Sequence, residues 1–292
     1  MEKTAKRKRA PRWMRSLWRS KTGMVGFIIV AVVMFCAVFA PFIAPYDPNA
    51  INPLYMLKPP AFVKGGDMQF LLGTDNLGHD ILSRLIYGAR ISMLIGVFSV
   101  FVAGIIGTTF GLVAGYYGGI CDSIIMRITD AFHAIPRTLL ALVAVSMMQA
   151  SVTTLIVVIG VTGWVNYARL IRSEVLVLKE REFVKASITI GTPDYKIIWK
   201  HILPNVFSVF IVVSTLAVAT SIIAETSLSF LGLGIQPPNV SWGGMLSAGR
   251  NYLDTDWWVA TIPGVTLTLT VLGIMFLGNW LRDYLDPHTQ GL

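Results

Sequence analysis

Arg169 to Asn205 reads RLIRSEVLVLKEREFVKASITIGTPDYKIIWKHILPN, the longest polar interruption in the second half of an otherwise apolar chain. Seven of its residues are lysine or arginine: Arg169, Arg172, Lys179, Arg181, Lys185, Lys196 and Lys200. Basic residues concentrate in the cytoplasmic loops of membrane proteins, so this loop is expected on the cytoplasmic side. Phe183, Ala186, Ser187 and Ile190 recur at i, i+3, i+4 and i+7, the period of a helix with one soft face. Gly191 ends that helix, and a positive φ is expected there. Thr192 and Pro193 start a second one, with a hydroxyl to cap free N–H groups and a proline at the first helical position. Tyr195, Ile198 and Ile202 give it an apolar stripe, and Pro204 is expected to close it. Two short amphipathic helices hinged at a glycine form a compact knob. That is a shape for docking, not for chemistry.

The rest of the chain supplies the membrane. Of its 292 residues 54% are hydrophobic and only 14% charged, with mean hydropathy +0.65. A soluble domain carries about a quarter charged residues. The apolar excess sits in long uncharged runs, which makes this an all-α polytopic membrane protein whose spans face membrane lipid. The net charge of +8 is no nucleic-acid signal, because it flanks those runs instead of lining one folded face. Nine of the 24 basic residues precede Met24 and anchor the topology. Cys36 and Cys121 have no C-x-x-C spacing and read as small packing residues. The four histidines lie far apart without H-E-x-x-H, so no metal site is expected.

In order, residues 1–21 form a basic cytoplasmic tail and 22–90 hold the first span, at 22–46, with a proline-rich external loop. Residues 91–285 form the core, with the loop 169–205 inside it, and 286–292 a short cytoplasmic tail. No charge falls between Arg90 and Asp122, where Gly107, Gly111 and Gly115 share one face. That face is a packing seam or part of a translocation path, with packing favoured. The uncharged run Thr138–Ala168 has 31 residues. One helix of that length would be about 46 Å, too long for a ~30 Å core. A single crossing would also put the basic loop outside. The run therefore holds most of two spans, turning near Gln149–Thr153, the first borrowing from Ile128–Arg137. A fifth span at 202–224 ends at Glu225, and 257–281 is the sixth. Glu225 is either a functional boundary carboxylate or a helix-end residue facing external water. After it, Pro237-Pro238 and the glycine pairs forbid a continuous helix, so a broken or re-entrant element is expected.

Five blocks carry a family resemblance. Lys185-Ala186-Ser187, then Gly191, then His201-Ile202-Leu203-Pro204 resembles the E-A-A, x3, G, x9, I-x-L-P loop of ABC-importer permeases. Lys185, Ser187 and His201 depart from that pattern, and Glu182 lies three residues too early to be its acid. Leu72–Ser92 (LGTDNLGHDILSRLIYGARIS) resembles a peptide-permease signature, with His79 in place of an arginine. A calcium loop at Asp75 and Asp80 lacks the required acidic spacing. Asp122–Arg137, Glu225–Leu246 and the C-terminal GNWLRDYLDP add further matches, Asn279 replacing an aspartate. The chain is thus identified as a member of the peptide/nickel-type ABC-importer permeases, the dipeptide/oligopeptide permease C-subunit family.

The resemblance implies a MetI-like type I permease fold of six transmembrane helices, with a cytoplasmic coupling helix pair, in a bacterial or archaeal inner membrane. It implies an ATPase-coupling loop comprising Glu182, Phe183, Lys185, Ala186, Ser187, Gly191, Leu203 and Pro204. It implies a second, non-identical permease, two ATPase subunits and an extracytoplasmic substrate-binding protein as partners. The chain has no G-x-x-x-x-G-K-[ST] loop, so it is expected to bind no cofactor itself, with ATP and Mg on the partner ATPases. The expected cargo is a di- or oligopeptide; nickel chelates, glutathione and oligosaccharides also travel through this permease type. A stand-alone secondary transporter or channel is disfavoured, because the uncharged runs hold no ionisable residue and no internal repeat is visible. No nucleophile–base pair speaks for an intramembrane enzyme.

Overall fold

The computed structural model describes residues 12–285. The basic tail before Arg12, the tail 286–292 and the last residues of the C-terminal block lie outside the described residues. Within the expected N-terminal tail, Arg12–Arg19 forms a short helix, α1. It is followed by α2 (Lys21–Ile43), α3 (Ile81–Tyr117), α4 (Gly119–Ala134), α5 (Arg137–Ser146) and α6 (Val152–Lys179). Then come α7 (Glu182–Thr189), α8 (Asp194–Ile197), α9 (Leu203–Phe230), α10 (Trp242–Gly249) and α11 (Trp258–Leu285).

Among the described residues five helical stretches are long and apolar enough to span a bilayer, and a bent pair brings the number to six. The bent pair is α4 with α5, which meet at 83°. This revises the third span. The expected turn is present between Ser146 and Val152, where the Ser151 hydroxyl caps α6. Yet α5 has ten residues, about 15 Å of helix, too short to cross alone. Pro136 is the cause: it removes a backbone donor and pushes Ile135 into extended geometry (φ −98°, ψ 129°). Hydropathy alone does not reveal such a corner.

Two further boundaries shift. α3 begins at Ile81, inside the stretch read as loop, because the Asp80 carboxylate accepts from the Ser83 N–H at 2.8 Å and caps the helix there. The fifth span runs helically from Asp194 through Phe230, so neither Pro204 nor Glu225 ends it. Glu225 can lie inside the helix because two hydroxyls meet its carboxylate.

The bundle is held by close backbone approach. Side chains added at Gly111 and Gly115 of α3 would stand 2.7 Å from Ala168 O and from the Val175 Cβ of α6, and Gly107 is equally filled by Trp164 and Tyr167. The glycine face read from the sequence is therefore a packing seam, where small residues let two helices touch in lipid. α2 packs on α11 by the same device: a Cβ at Gly26 would meet Gly273 O at 2.7 Å. The opposite face of α2 leaves Phe35, Val38 and Phe42 exposed to the surroundings, as lipid requires.

One end of the bundle carries residues 44–80, folded as an elbow into α3. Tyr46 N–H donates to Ser83 Oγ at 3.0 Å, and Trp258 Nε1 donates to Thr74 O at 3.2 Å. Trp242, which opens α10, donates to Leu85 O at 2.9 Å. At the elbow's centre the buried Asp75 accepts from the His79 and Leu77 N–H groups at 3.0 and 2.9 Å. His79 Nδ1 lies 2.8 Å and Arg84 Nη1 3.2 Å from its other oxygen. His79 is thus an internal ring of the elbow.

Burial raises the Asp75 pKa, but the hydrogen bond from His79 and the Arg84 charge more than offset this and hold it below its ordinary value. With the folded pKa below the unfolded one, the contribution is complete above about pH 4 and fades as pH falls through the lower folded value. Limited proteolysis of the 47–72 segment is therefore expected to begin only below about pH 4 in the wild type. Asp75→Asn is expected to be cleaved faster already at pH 7; equal cleavage would show that the carboxylate does not hold the elbow.

Candidate functional site

The opposite end of the bundle bears the knob. α7 buries Val184 and Ser187 against the core and leaves Phe183, Ala186 and Ile190 exposed. The face read as one soft stripe is therefore divided: Ser187 points inward, its hydroxyl donating to Phe183 O at 2.8 Å. Val184, not singled out in the sequence, is the fully buried anchor. Its signal is simply its position three residues before Ser187.

Gly191 terminates α7 with φ +76°. Its N–H donates to Ile188 O at 3.0 Å and that of Thr192 to Ser187 O at 3.1 Å, the paired bonds of a Schellman cap. Pro193, not Thr192, occupies the cap of the next helix, and Asp194 is its first residue. That next helix is not separate. α8 passes through a π turn at Ile198–Ile202, closed by the Leu203 N–H to Ile198 O, directly into α9. A wider i→i+5 turn absorbs the missing donor of Pro204, which is why the proline fails to stop the chain. The second half of the knob is thus the end of a membrane-spanning helix. Tyr195 and Trp199 face outward on it, Pro204 is exposed and Leu203 half-buried.

The knob is tied to three spans. Val184, Ile197 and Ile202 join Tyr116 of α3, Ile171 and Val175 of α6 and Val206 of α9 in one buried cluster. Tyr116 Oη donates to Asp194 Oδ1 at 2.8 Å, and Lys179 Nζ donates to Tyr116 O at 2.6 Å. Beside it Arg172 Nε and Nη2 donate to the two oxygens of Asp122, and Arg169 Nη2 meets Asp130 at 2.6 Å. Glu182 and Lys185 are exposed, Lys185 reaching back to Glu180 at 2.7 Å. What the knob leaves exposed are the apolar side chains of Phe183, Ala186, Ile190, Tyr195 and Trp199, with Arg181, Lys185, Lys196 and Lys200 exposed among them along the chain. Among the described residues it holds no group of side chains that could bind a metal ion.

Among the described residues, Glu225 and Arg137 place charge-bearing side chains inside the bundle, each just beyond an uncharged run read from the sequence. Glu225 is fully buried and does not face water. Its Oε1 accepts from Ser229 Oγ at 2.7 Å and Ser241 Oγ at 2.8 Å, while Oε2 has no partner. Ser241 in turn caps α10, accepting from Gly244 N–H at 3.1 Å. The side chain thereby fastens the segment Leu231 to Ser241 onto α9. The second group, Arg137, begins α5 and lies against α6.

Known proteins resemble this chain along most of its length. Residues 107–291 match the family described as binding-protein-dependent transport system inner membrane component. Residues 12–60 match the N-terminal TM domain of oligopeptide transport permease C. The chain is 40% identical over 284 residues to the di/tripeptide transport system permease protein DppC of Pseudomonas aeruginosa (strain UCBPP-PA14), covering 96% of this chain and 94% of that one. It is 38% identical over 283 residues to the oligopeptide transport system permease protein OppC of Bacillus subtilis (strain 168), covering 94% and 91%. Among solved structures, an inward-facing MetNI methionine ABC transporter superposes with a TM-score of 0.57 at 19% identity, covering 70% of this chain and 96% of that chain, a likeness of fold alone.

Glu225 yields a direct stability test. Glu225→Gln keeps an acceptor for both serines and is expected to melt within a few degrees of the wild type in detergent. Glu225→Leu leaves two buried hydroxyls without their acceptor and is expected to lose about 1–3 kcal/mol, read as a lower thermal midpoint. A Leu variant as stable as the wild type would remove Glu225 as the fastener.

Proposed function

The chain belongs to the family of inner-membrane components of binding-protein-dependent transport systems, and from that premise we propose that it moves di- or oligopeptides through the membrane on energy supplied by partner ATPases. It is a multi-pass inner-membrane transport component of the MetI-like type I permease fold. Its ATPase and substrate-binding partners follow from the family. The peptide cargo is inferred from the relatives, whose names specify dipeptides, tripeptides and oligopeptides. Both termini are assigned to the cytoplasm, since the basic flanks 1–21 and 169–201 then share one side. A second, non-identical permease completes the path, and ATP and Mg reside on the ATPases, in keeping with the absence of a phosphate-binding loop here.

The observation that carries the coupling is the rigid attachment of the knob. Its exposed apolar patch supplies a docking surface, while its buried side is built into α3, α6 and α9. Because α8 continues into α9, a displacement of the knob is a displacement of a span. When ATPase subunits close on ATP, the docked Glu182–Leu203 segment moves as a lever and the attached helices rock between inward and outward states. Nucleotide controls transport only if the two states differ in how they hold the knob.

Gly191 tests this reading without disturbing the bundle. A Cβ there would meet nothing within 4 Å, so a substitution is resisted only by the backbone at φ +76°. For a β-branched residue that penalty exceeds about 1 kcal/mol. Gly191→Val is expected to insert and express normally but to lose peptide uptake and ATPase co-purification together. Ala186→Asp, which buries an unpaired carboxylate in the docked face, is expected to do the same. If both variants insert normally and still transport at the wild-type rate, the knob is not the coupling element.

A further inference from the structure

Arg137 is an unpaired cation at mid-depth in the bundle. Its Nη2 donates to Ile159 O at 3.0 Å, and its shielded Nε has no acceptor. Among the described residues no carboxylate pairs with it. Ile159 and Gly163 lie about 10 and 16 Å along α6 from its start, near the middle of a ~30 Å core. The site is shaped for the side chain. A Cβ at Gly163 would stand 2.8 Å from Nη2, so α6 carries no side chain where the guanidinium rests. Openings of about 100 and 190 Å³ lie against it, between α5, α6 and α9, the larger also bordered by α3. Their polar lining includes Thr162 and Ser227 on one side and Asn166, Tyr167, Thr220 and Ser221 on the other.

An ionisable residue at this depth is costly to keep and marks a pathway or a partner. The guanidinium fork matches a carboxylate in two parallel bonds, and none is supplied among the described residues. We propose that Arg137 receives a carboxylate of the peptide as it passes, an assignment that rests on the peptide reading above. Every linear peptide carries one such group at its C-terminus whatever its side chains. A single fixed cation can therefore hold cargo of varied sequence, while the openings around it accommodate the rest.

The test compares wild type, Arg137→Lys and Arg137→Gln in proteoliposomes holding the complete assembly with its binding protein. Trialanine and Ala-Glu-Ala serve as cargo at saturating concentration. Glutamine removes the charge together with the reach to Ile159 O, so the thermal midpoint of each variant is read beside its uptake to separate a helix brace from a carboxylate site. Arg137→Gln is expected to lower the maximal uptake rate about ten-fold, the loss of roughly one charged hydrogen bond. The half-saturating concentration, set by the binding protein, and ATP hydrolysis stimulated by it are expected to stay unchanged. Arg137→Lys is expected to retain most of the rate. Equal loss for both peptides places the C-terminal carboxylate at Arg137; loss confined to Ala-Glu-Ala places the acidic side chain there. Undiminished uptake by the Gln variant overturns the proposal, as does loss of the second permease from that variant's complex, which would assign the anion to a neighbouring subunit. A wild-type assembly that moves neither peptide refutes the peptide reading itself, and the site falls with it.

Discussion

The backbone approach of α3 and α6 is the constraint on which the other contacts depend. Lipid offers no hydrophobic drive between helices, so association rests on close packing and interhelical hydrogen bonds. Gly107, Gly111 and Gly115 present bare backbone to Trp164, Ala168, Ile171 and Val175, giving these two long helices a fixed rotation and depth. That placement brings Lys179 and Tyr116 together at one end of the bundle. It also brings Gly160 of α6 against Val102 of α3 nearer the other end. Arg137 lies across Gly163 of the same helix, so the mid-membrane cation is positioned by the seam that positions the knob.

The two ends of the molecule answer different demands. The elbow end is stitched by polar bonds: a capped α3, the Asp75–His79–Arg84 cluster, two tryptophan N–H donors and the Glu225–Ser241 contact. These buried polar groups are nearly all satisfied, as a segment leaving the bilayer without regular structure requires. The knob end is anchored by apolar packing and leaves apolar surface uncovered. Exposed apolar surface of that kind, with basic side chains along the same stretch, is the mark of a docking surface. Lever and socket are thus distinguished by where the chain hides its apolar residues and where it does not.

Much of this was legible in the sequence. Charge distribution and the parity of the basic loop imply six crossings, the i+4 glycines the seam, and Gly191 the left-handed turn. What hydropathy misses is the path of the backbone. Pro136 turns an apolar run through a corner, whereas Pro204 is absorbed by a π turn and interrupts nothing. Both are prolines at the edge of an apolar run; only the hydrogen bonds around them decide which one breaks the helix. Glu225 reads as a span boundary because a lone carboxylate is costly in lipid, and the serines that accommodate it lie four and sixteen residues away. Val184 does not stand out beside Phe183, since periodicity finds an apolar face without revealing which side of it meets the core.

The central claim is that the outer face of the knob docks on an ATPase subunit and moves with it. Ile190 is 80% exposed at the tip of α7 and contributes to no buried cluster, so it can carry a probe without disturbing the fold. A photo-crosslinking residue at position 190, in the assembled complex, measures the contact directly. The account predicts capture of the ATPase subunit, with a yield that changes between nucleotide-free and ATP-trapped states. An intact complex in which position 190 captures no ATPase in either state would contradict it.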